Sequence, residues 1–288
     1  MGLSRGIFGL GATYRRVDCA ETCEHGLTVK SGFFQFDVAF GEKERNLDKV
    51  RAALSQVDFD LMVLPELFTT GYLLSTNQQA AQFAESIPNG ETVRSLIELA
   101  GRKHAHIVGG MIERDGDRIY NTAVIVGPAG FVGKHRKVHL TKYEVPLFDR
   151  GSGFEVFDIG GGCKLGVVLC FDTWFPEACR VLMSKGAQVL CSPANFGGPW
   201  SVDILKVRAV ENIVYAISAN RIGTETANGI VAEFRGESQI VSCDGLVLQH
   251  AGIGEAVAVA EIEPKTASVK RSLMCDDLLG ELERYVNP

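Results

Sequence analysis

Asp60-Leu-Met-Val-Leu-Pro-Glu-Leu-Phe68 and Gln188-Val-Leu-Cys-Ser-Pro-Ala-Asn-Phe196 follow one plan: an apolar run, then proline, two variable residues and phenylalanine. Proline cannot donate to a central ladder, so each run reads as a short buried strand that ends in a loop. Two copies of the plan in one chain imply an internal pseudo-twofold, with Glu66 in one half facing Ala194 in the other. Around the first copy, residues 29–36 read as a strand. Leu47, Val50, Leu54 and Val57 recur at helical spacing behind Asn46, the expected N-cap. A helix over 91–103 and a strand over 106–113 follow. The turn signal Arg114-Asp-Gly-Asp117 then leads into a partner strand over 118–126, and a further strand pair spans Pro128-Ala-Gly130. Residues 140–153 read as a loop. Around the second copy the same alternation gives strands over 164–169, 187–192, 214–220, 239–241, 246–250 and 256–262. Its helices fall over 176–184 and 202–213. Strand–helix units mixed with hairpins specify an α/β fold of mixed sheets covered by helices.

Composition narrows the function classes. The 288 residues are 46% hydrophobic and 22% charged, an ordinary globular mix. A chain this long buries roughly three quarters of its unfolded surface, so it needs no metal or disulfide staple. Lys+Arg 29 against Asp+Glu 35 leaves −6, with neither half strongly basic, which argues against a nucleic-acid partner. No apolar run approaches the roughly 18 residues of a membrane span. The eight cysteines follow no scaffold spacing, and Cys163, Cys170, Cys191 and Cys243 sit in apolar runs; this usage suggests a reducing compartment, the cytoplasm. Cys19, Cys23 and His25 lack a fourth ligand at a known spacing, so no metal is expected. Residues 1–27 read as an N-terminal extension with no signal-peptide core, residues 28–265 as one domain without an internal linker, and residues 266–288 as a C-terminal tail.

Three residues carry the chemical signal. Cys170 ends the run Leu165-Gly-Val-Val-Leu169 where a helix is about to begin; it is either a buried structural thiol or a nucleophile facing backbone N–H groups and a helix dipole. Glu66 interrupts an apolar stretch and is either a solvent-facing loop residue or a buried carboxylate that needs a partner. Lys137 lies in the charged run Lys134-His-Arg-Lys-Val-His-Leu140, which alone reads as a solvated strand face. Taken together they match what a thiol hydrolase requires. Such an enzyme needs a nucleophile, a carboxylate to take its proton, and an ammonium to hold the oxyanion of the tetrahedral intermediate. No Gly-x-Ser-x-Gly competes, and His139 has no evident partner. Gly127-Pro-Ala-Gly-Phe-Val-Gly133-Lys134 has the wrong spacing and context for a phosphate loop and reads as a turn.

The motifs Leu64-Pro-Glu-Leu-Phe-Thr-Thr-Gly-Tyr72, Arg136-Lys-Val-His-Leu140 and Cys170-Phe-Asp-Thr-Trp-Phe-Pro-Glu177 occur in order. They are followed by Val207-Arg-Ala-Val-Glu-Asn212 and Ala219-Asn-Arg-Ile-Gly223. Over about residues 28–265 the chain resembles the nitrilase superfamily of carbon–nitrogen hydrolases. The resemblance implies a four-layer α-β-β-α sandwich, with Glu66 as general base, Lys137 and the Phe171 backbone N–H at the oxyanion, and Cys170 as nucleophile. It also implies Glu144 in support, no metal and no organic cofactor. Phe171-Asp172 after the nucleophile, where nitrilases carry Trp-Glu, points to the amidase and carbamoylase branches. Thr173 and Trp174 offer no charge to anchor a substrate carboxylate. The pocket walls are assigned to Trp174 and to the loop that begins at Asn195 and Phe196. Arg208, Glu211 and Asn212, at i, i+3 and i+4 on one helix, are expected to form an ion-paired buttress rather than to touch substrate. The expected activity is hydrolysis of a small amide or N-carbamoyl compound through a thioester, by a homodimer or higher homo-oligomer joined through the helix after Cys170 and the tail leucines Leu273, Leu278, Leu279 and Leu282. The rival readings are a nitrilase with the same residues and a catalytically silent binding protein on this fold.

Overall fold

The structure, a computed structural model, describes residues 27–227, 229–270 and 275–286. The N-terminal extension and its Cys19, Cys23 and His25 lie outside these residues, save Leu27, and so does Leu273. In chain order the elements are β1 (Val29–Gln35), α1 (Lys43–Ser55), β2 (Leu61–Val63), α2 (Asn77–Phe83), β3 (Glu85–Ser86), α3 (Glu91–Lys103), β4 (His106–Asp115), β5 (Arg118–Gly127) and β6 (Gly130–Arg136). The second half contributes β7 (Val156–Asp158), β8 (Lys164–Val167), a 3-10 turn over Cys170–Trp174, α4 (Pro176–Ser184), β9 (Val189–Ala194), α5 (Trp200–Asn212) and β10 (Tyr215–Asn220). After these come β11 (Ile222–Ala227), β12 (Ile230–Arg235), β13 (Gln239–Val241), β14 (Val247–His250), β15 (Ala256–Ile262), α6 (Pro264–Ser268) and α7 (Leu278–Val286).

One sheet has the order β15-β1-β2-β4-β5-β6, with β3 added beside β4; the other has the order β14-β13-β10-β9-β8-β7. Each is parallel at its centre, β1-β2-β4 in one and β10-β9-β8 in the other, and antiparallel outside. The two matching stretches thus form β2 and β9, the equivalent middle strands of the two sheets, and the pseudo-twofold is real. Alternation along each strand divides the apolar residues between two faces. Phe33, Leu61, Val63, Val108, Leu165, Val167, Val189 and Ile217 meet between the sheets. Phe34, Met62 and Ile107 turn outward to Leu47, Val50, Leu54, Val93, Leu96 and Leu99 of α1 and α3. Val168, Leu190 and Ala216 do the same toward α4 and α5. The result is the expected α-β-β-α sandwich.

Helix α4 starts at Pro176, whose missing N–H costs nothing at a first helical position, and ends before Gly186. The expectation at Asn46 was wrong. Helix α1 begins at Lys43 with Glu42 as N-cap, so Asn46 is inside it. There its carboxamide accepts from Ala39 N–H (2.9 Å) and donates to the Ala39 and Thr69 carbonyls (2.8 and 3.0 Å), tying two loops to the helix instead of capping it. In the tail, Leu278, Leu279 and Leu282 pack against the core beneath α4 and α5, so these leucines have partners within the chain. No helix among the described residues is long and apolar enough to cross a membrane.

Candidate active site

Glu66 stands just past β2, in a loop riveted to β4. Leu64 N–H donates to Val108 O (2.8 Å), Gly110 N–H to Pro65 O (3.1 Å) and Phe68 N–H to Gly110 O (3.0 Å). Leu67 adopts a left-handed φ of 49°, and Leu67 and Phe68 are fully buried, which turns the Glu66 side chain inward. Lys137 follows β6 and is held by its own N–H to Asn121 O (2.9 Å) and by Gly151 N–H to its carbonyl (2.8 Å). Glu144 comes from the 140–153 loop, where its carboxylate accepts Thr141 N–H (2.9 Å). Cys170 opens the 3-10 turn with φ 49°, a conformation that L-residues adopt at a cost of order 1–3 kcal/mol and that surrounding contacts must support. All four side chains are buried.

They form one cluster. Lys137 Nζ donates to Glu66 Oε1 (2.7 Å) and to both oxygens of Glu144 (2.8 Å each). Asn121 Nδ2 donates to Glu66 Oε1 and to Glu144 Oε1, both at 2.7 Å. Glu66 Oε2 is buried with no hydrogen-bond partner. Two carboxylates around one ammonium leave the cluster an excess negative charge. Burial, with Glu144 adding to it, pushes the Glu66 carboxyl above its ordinary value, although Lys137 opposes this. Burial works against the Lys137 charge, yet Glu144 and Glu66 outweigh it and raise its pKa well above the ordinary value. The Cys170 thiol is pushed well up by burial and then by Glu66, while the Asn195 backbone N–H turned to its sulfur pulls the other way. The resting residue is therefore a thiol beside a carboxylate oxygen that can accept its proton.

Glu66, Lys137, Glu144 and Cys170 thus lie together, and Phe171 follows the thiol within the turn. Trp174, at the end of the turn, is 40% exposed, packs beside Phe171 and is not a core residue. Asn195 is buried, and both of its carboxamide atoms lack partners. Phe196 is fixed through its backbone: its N–H donates to Asn220 Oδ1 (2.7 Å) and its carbonyl accepts Asn220 Nδ2 (3.0 Å). Arg208 forms the expected buttress; it pairs with Glu211 (3.0 Å) and donates to the carbonyls of Thr173 (2.9 Å) and Trp174 (3.2 Å), closing the end of the Cys170 turn. Two participants escaped the sequence reading. Asn121 was signalled only by a polar residue within the apolar β5. Tyr72 is half-buried, its hydroxyl 3.0 Å from Thr141 Oγ1, and its peptide N–H is held by Glu225 (2.9 Å), itself paired with the fully buried Arg221. Among the described residues, no group of three or more His, Cys, Asp or Glu could hold a metal ion.

Comparison with known proteins gives the chain's relatives. The family model described as carbon-nitrogen hydrolase matches residues 35–271. A protein of Pyrococcus abyssi named nitrilase is 41% identical over 258 residues, covering 88% of this chain and 97% of that one. A 2-oxoglutaramate amidase of Bacillus subtilis is 32% identical over 261 residues, covering 86% and 96%. The crystal structure of a carbon-nitrogen hydrolase from Helicobacter pylori G27 superposes with a TM-score of 0.78 at 25% identity, covering 91% of this chain and 94% of that one.

Proposed function

Because the chain belongs to the carbon–nitrogen hydrolase family, we propose that it hydrolyses a non-peptide carbon–nitrogen bond of a small amide or N-carbamoyl compound through a thioester on Cys170. The observation that carries this reading is the state of Glu66: Oε1 is held by Lys137 and Asn121, Oε2 is buried with no partner, and the Cys170 thiol lies within reach of the carboxylate. Cys170 attacks the carbonyl carbon as Glu66 Oε2 takes the thiol proton. The oxyanion is received by Lys137, which gives up one of its Glu144 contacts, and by the Phe171 N–H. Glu66 returns the proton to the departing nitrogen, ammonia or an amine leaves, and the thioester remains. Water then enters, Glu66 deprotonates it, and collapse of the second tetrahedral intermediate frees the acid and the thiol. Glu144 fixes Lys137 throughout, and Trp174, Asn195 and Phe196 contact the substrate. No metal or organic cofactor takes part.

Ammonia release from a panel of small amides, ω-amides and N-carbamoyl amines tests the reading, together with intact mass after acid trapping. Wild-type protein should gain the acyl group of the substrate, and Cys170→Ala should gain nothing and lose turnover. Activity in Cys170→Ala within tenfold of wild type would overturn the assignment. The second reading, nitrile hydrolysis by the same residues, is favoured by the name of the Pyrococcus abyssi relative; turnover of a matched amide and nitrile separates the two. Cys163, Cys170, Cys179, Cys191 and Cys275 form no disulfide, which supports a cytoplasmic setting. We further propose a homodimer, supported by Val181 on α4 and Val207 and Val210 on α5, which are 40–52% exposed on adjoining helices. Light scattering at the 31.2 kDa of a single chain at micromolar concentration would contradict it.

A further inference from the structure

Directly behind the thiol turn lies a buried cluster that the mechanism above leaves unused. Asp172, two residues past Cys170 and fully buried, receives four hydrogen bonds from two directions. Its Oδ2 accepts Leu169 N–H (3.2 Å) and His135 Nε2 (3.1 Å), and its Oδ1 accepts both His139 N–H (2.8 Å) and His139 Nδ1 (2.8 Å). A carboxylate held this way only accepts, so His135 carries its proton on Nε2 and His139 on Nδ1. Both rings are also gripped from the side. His135 stacks on Phe154 (centroids 5.3 Å apart), and His139 lies flat on Phe175 (3.7 Å, 11°), which directly follows the turn.

We propose that Asp172, His135 and His139 act as a positioning cluster that locks the Cys170 turn to the strand end bearing Lys137 and so sets the distance between nucleophile and oxyanion holder. The two histidines bracket Lys137 in sequence, one two residues before it and one two residues after. Fixing both of them to the carboxylate in the middle of the nucleophile turn leaves Lys137 little freedom to slide relative to Cys170. The cluster also supplies what the left-handed Cys170 backbone needs. Asp172 holds the residue before Cys170 at both ends: its carboxylate accepts Leu169 N–H, and its own N–H closes the turn onto Leu169 O (3.1 Å). Burial opposes the Asp172 charge, but the contacts from His135 and His139 outweigh it and hold the carboxyl well below its ordinary value. These contacts therefore favour the ionised carboxylate.

The proposal rests on the thioester reading for its kinetic arm and is independent of it in its labelling arm. Iodoacetamide alkylates the thiol directly, with iodide leaving and the thiol proton passing to a base, whatever the natural substrate is. In Asp172→Asn, which is isosteric, kcat on the best amide should fall about 10²-fold, as expected for a shift of reacting groups near 1 Å. KM should stay within threefold, and alkylation of Cys170, followed by peptide mass mapping, should slow at least tenfold. His135→Leu should behave alike, and His135→Gln, whose carboxamide keeps an N–H donor, should recover most of that loss even where the two variants melt at the same temperature. Variants that melt lower yet keep kcat and the Cys170 alkylation rate within threefold of wild type would reduce the cluster to a structural role and overturn the proposal. If no amide is turned over by wild-type protein, the thioester reading fails, and the alkylation rates of the His135 pair still decide the lock.

Discussion

A methyl group added at Gly110 tests how tightly the Glu66 loop is held. A Cβ built there would lie 2.6 Å from Glu66 Cα, 2.8 Å from Leu67 N and 3.1 Å from Glu66 C, all of them backbone atoms. Ordinary contact begins at 3.4 Å, so the loop or β4 must retreat by about 0.8 Å. Gly110 N–H and C=O are bonded to Pro65 and Phe68 on either side of Glu66, so the retreat carries the carboxylate with it. A displacement near 1 Å costs about 10²-fold in rate, equivalent to about 2.7 kcal/mol in the barrier. Overpacking a fitted core costs typically about 1–3 kcal/mol of stability, which in a domain of this size lowers the melting temperature by several degrees without unfolding it at 25 °C. Gly110→Ala should therefore be folded by circular dichroism and have kcat about a hundredfold lower for ammonia release. Gly109→Ala is the control: its Cβ meets only side-chain atoms, Phe68 at 2.9 Å and Leu64 at 3.4 Å, which can shift away from the site. Gly110→Ala with kcat within threefold of wild type would show that Glu66 does not need the position the loop gives it, and the argument from rigidity would fall.

Four further outcomes are expected. Glu66→Gln should lose about 10²- to 10⁴-fold in kcat as general-base catalysis disappears, whereas Glu144→Gln should still permit Cys170 alkylation; intact turnover in Glu66→Gln with none in Glu144→Gln would reverse the two roles. Burial raises the Glu66 carboxyl, and a base acts only when ionised, so the acid limb of wild-type kcat/KM should fall at a pH above its ordinary 4.5; a limb at or below that value would count against Glu66 as the base. Asn195→Leu removes an unpartnered buried carboxamide at the nucleophile and should raise KM about tenfold with little change in kcat, the loss of about one good hydrogen bond to substrate; an unchanged KM would remove Asn195 from the pocket. Lys270, buried with its amine on the carbonyls of Ala187 and Ile213, is pushed by burial from 10.5 down to about 8. Between those values the unfolded chain holds a proton that the folded chain has lost, so stability in urea should rise as pH climbs from 8 toward 10.5, and Lys270→Met should flatten that rise; the same slope in both proteins would mean Lys270 titrates normally.

Elements built on strong periodicity or explicit punctuation were readable from the chain alone. Helices α3 and α4 and strands β13 and β15 fall where their apolar spacing, Pro176 and the glycine after α4 put them. The hairpin of β11 and β12 was missed because its outer residues are exposed and lack alternation. Its order comes from Arg221, which bonds Glu225 and lies 4.3 Å over the Phe234 ring, a contact no local pattern announces. Helix α2 was missed for a similar reason: Asn-Gln-Gln-Ala-Ala-Gln-Phe buries only Ala80, and its clearest mark is the Thr76 cap. In the site, Cys170 and Glu66 were legible because each ends or interrupts an apolar run, whereas Lys137, inside a charged run, was legible only in combination with them. Asn121, Tyr72 and the Asp172 cluster were not, since each matters only through partners far away in sequence, such as the 55 residues between Asn121 and Glu66.

The antiparallel pairing of β1 with β15 has a consequence for how the protein is made. The edge of the first sheet is supplied by residues 256–262, which register against Val29–Gln35 from Val29 opposite Ile262 to Gln35 opposite Ala256. During synthesis the strands of the first half emerge long before their seventh neighbour exists, and β1 waits with one side of its backbone unpaired. At roughly 5–20 residues per second, the interval between the exit of β1 and the exit of β15 lasts on the order of ten seconds or more. An unpaired strand bearing Phe33 and Phe34 is a ready template for another chain over that interval. Ribosome-bound chains that stop short of Ala256 should thus be markedly more prone to aggregate and to engage holding chaperones than chains extended past Ile262.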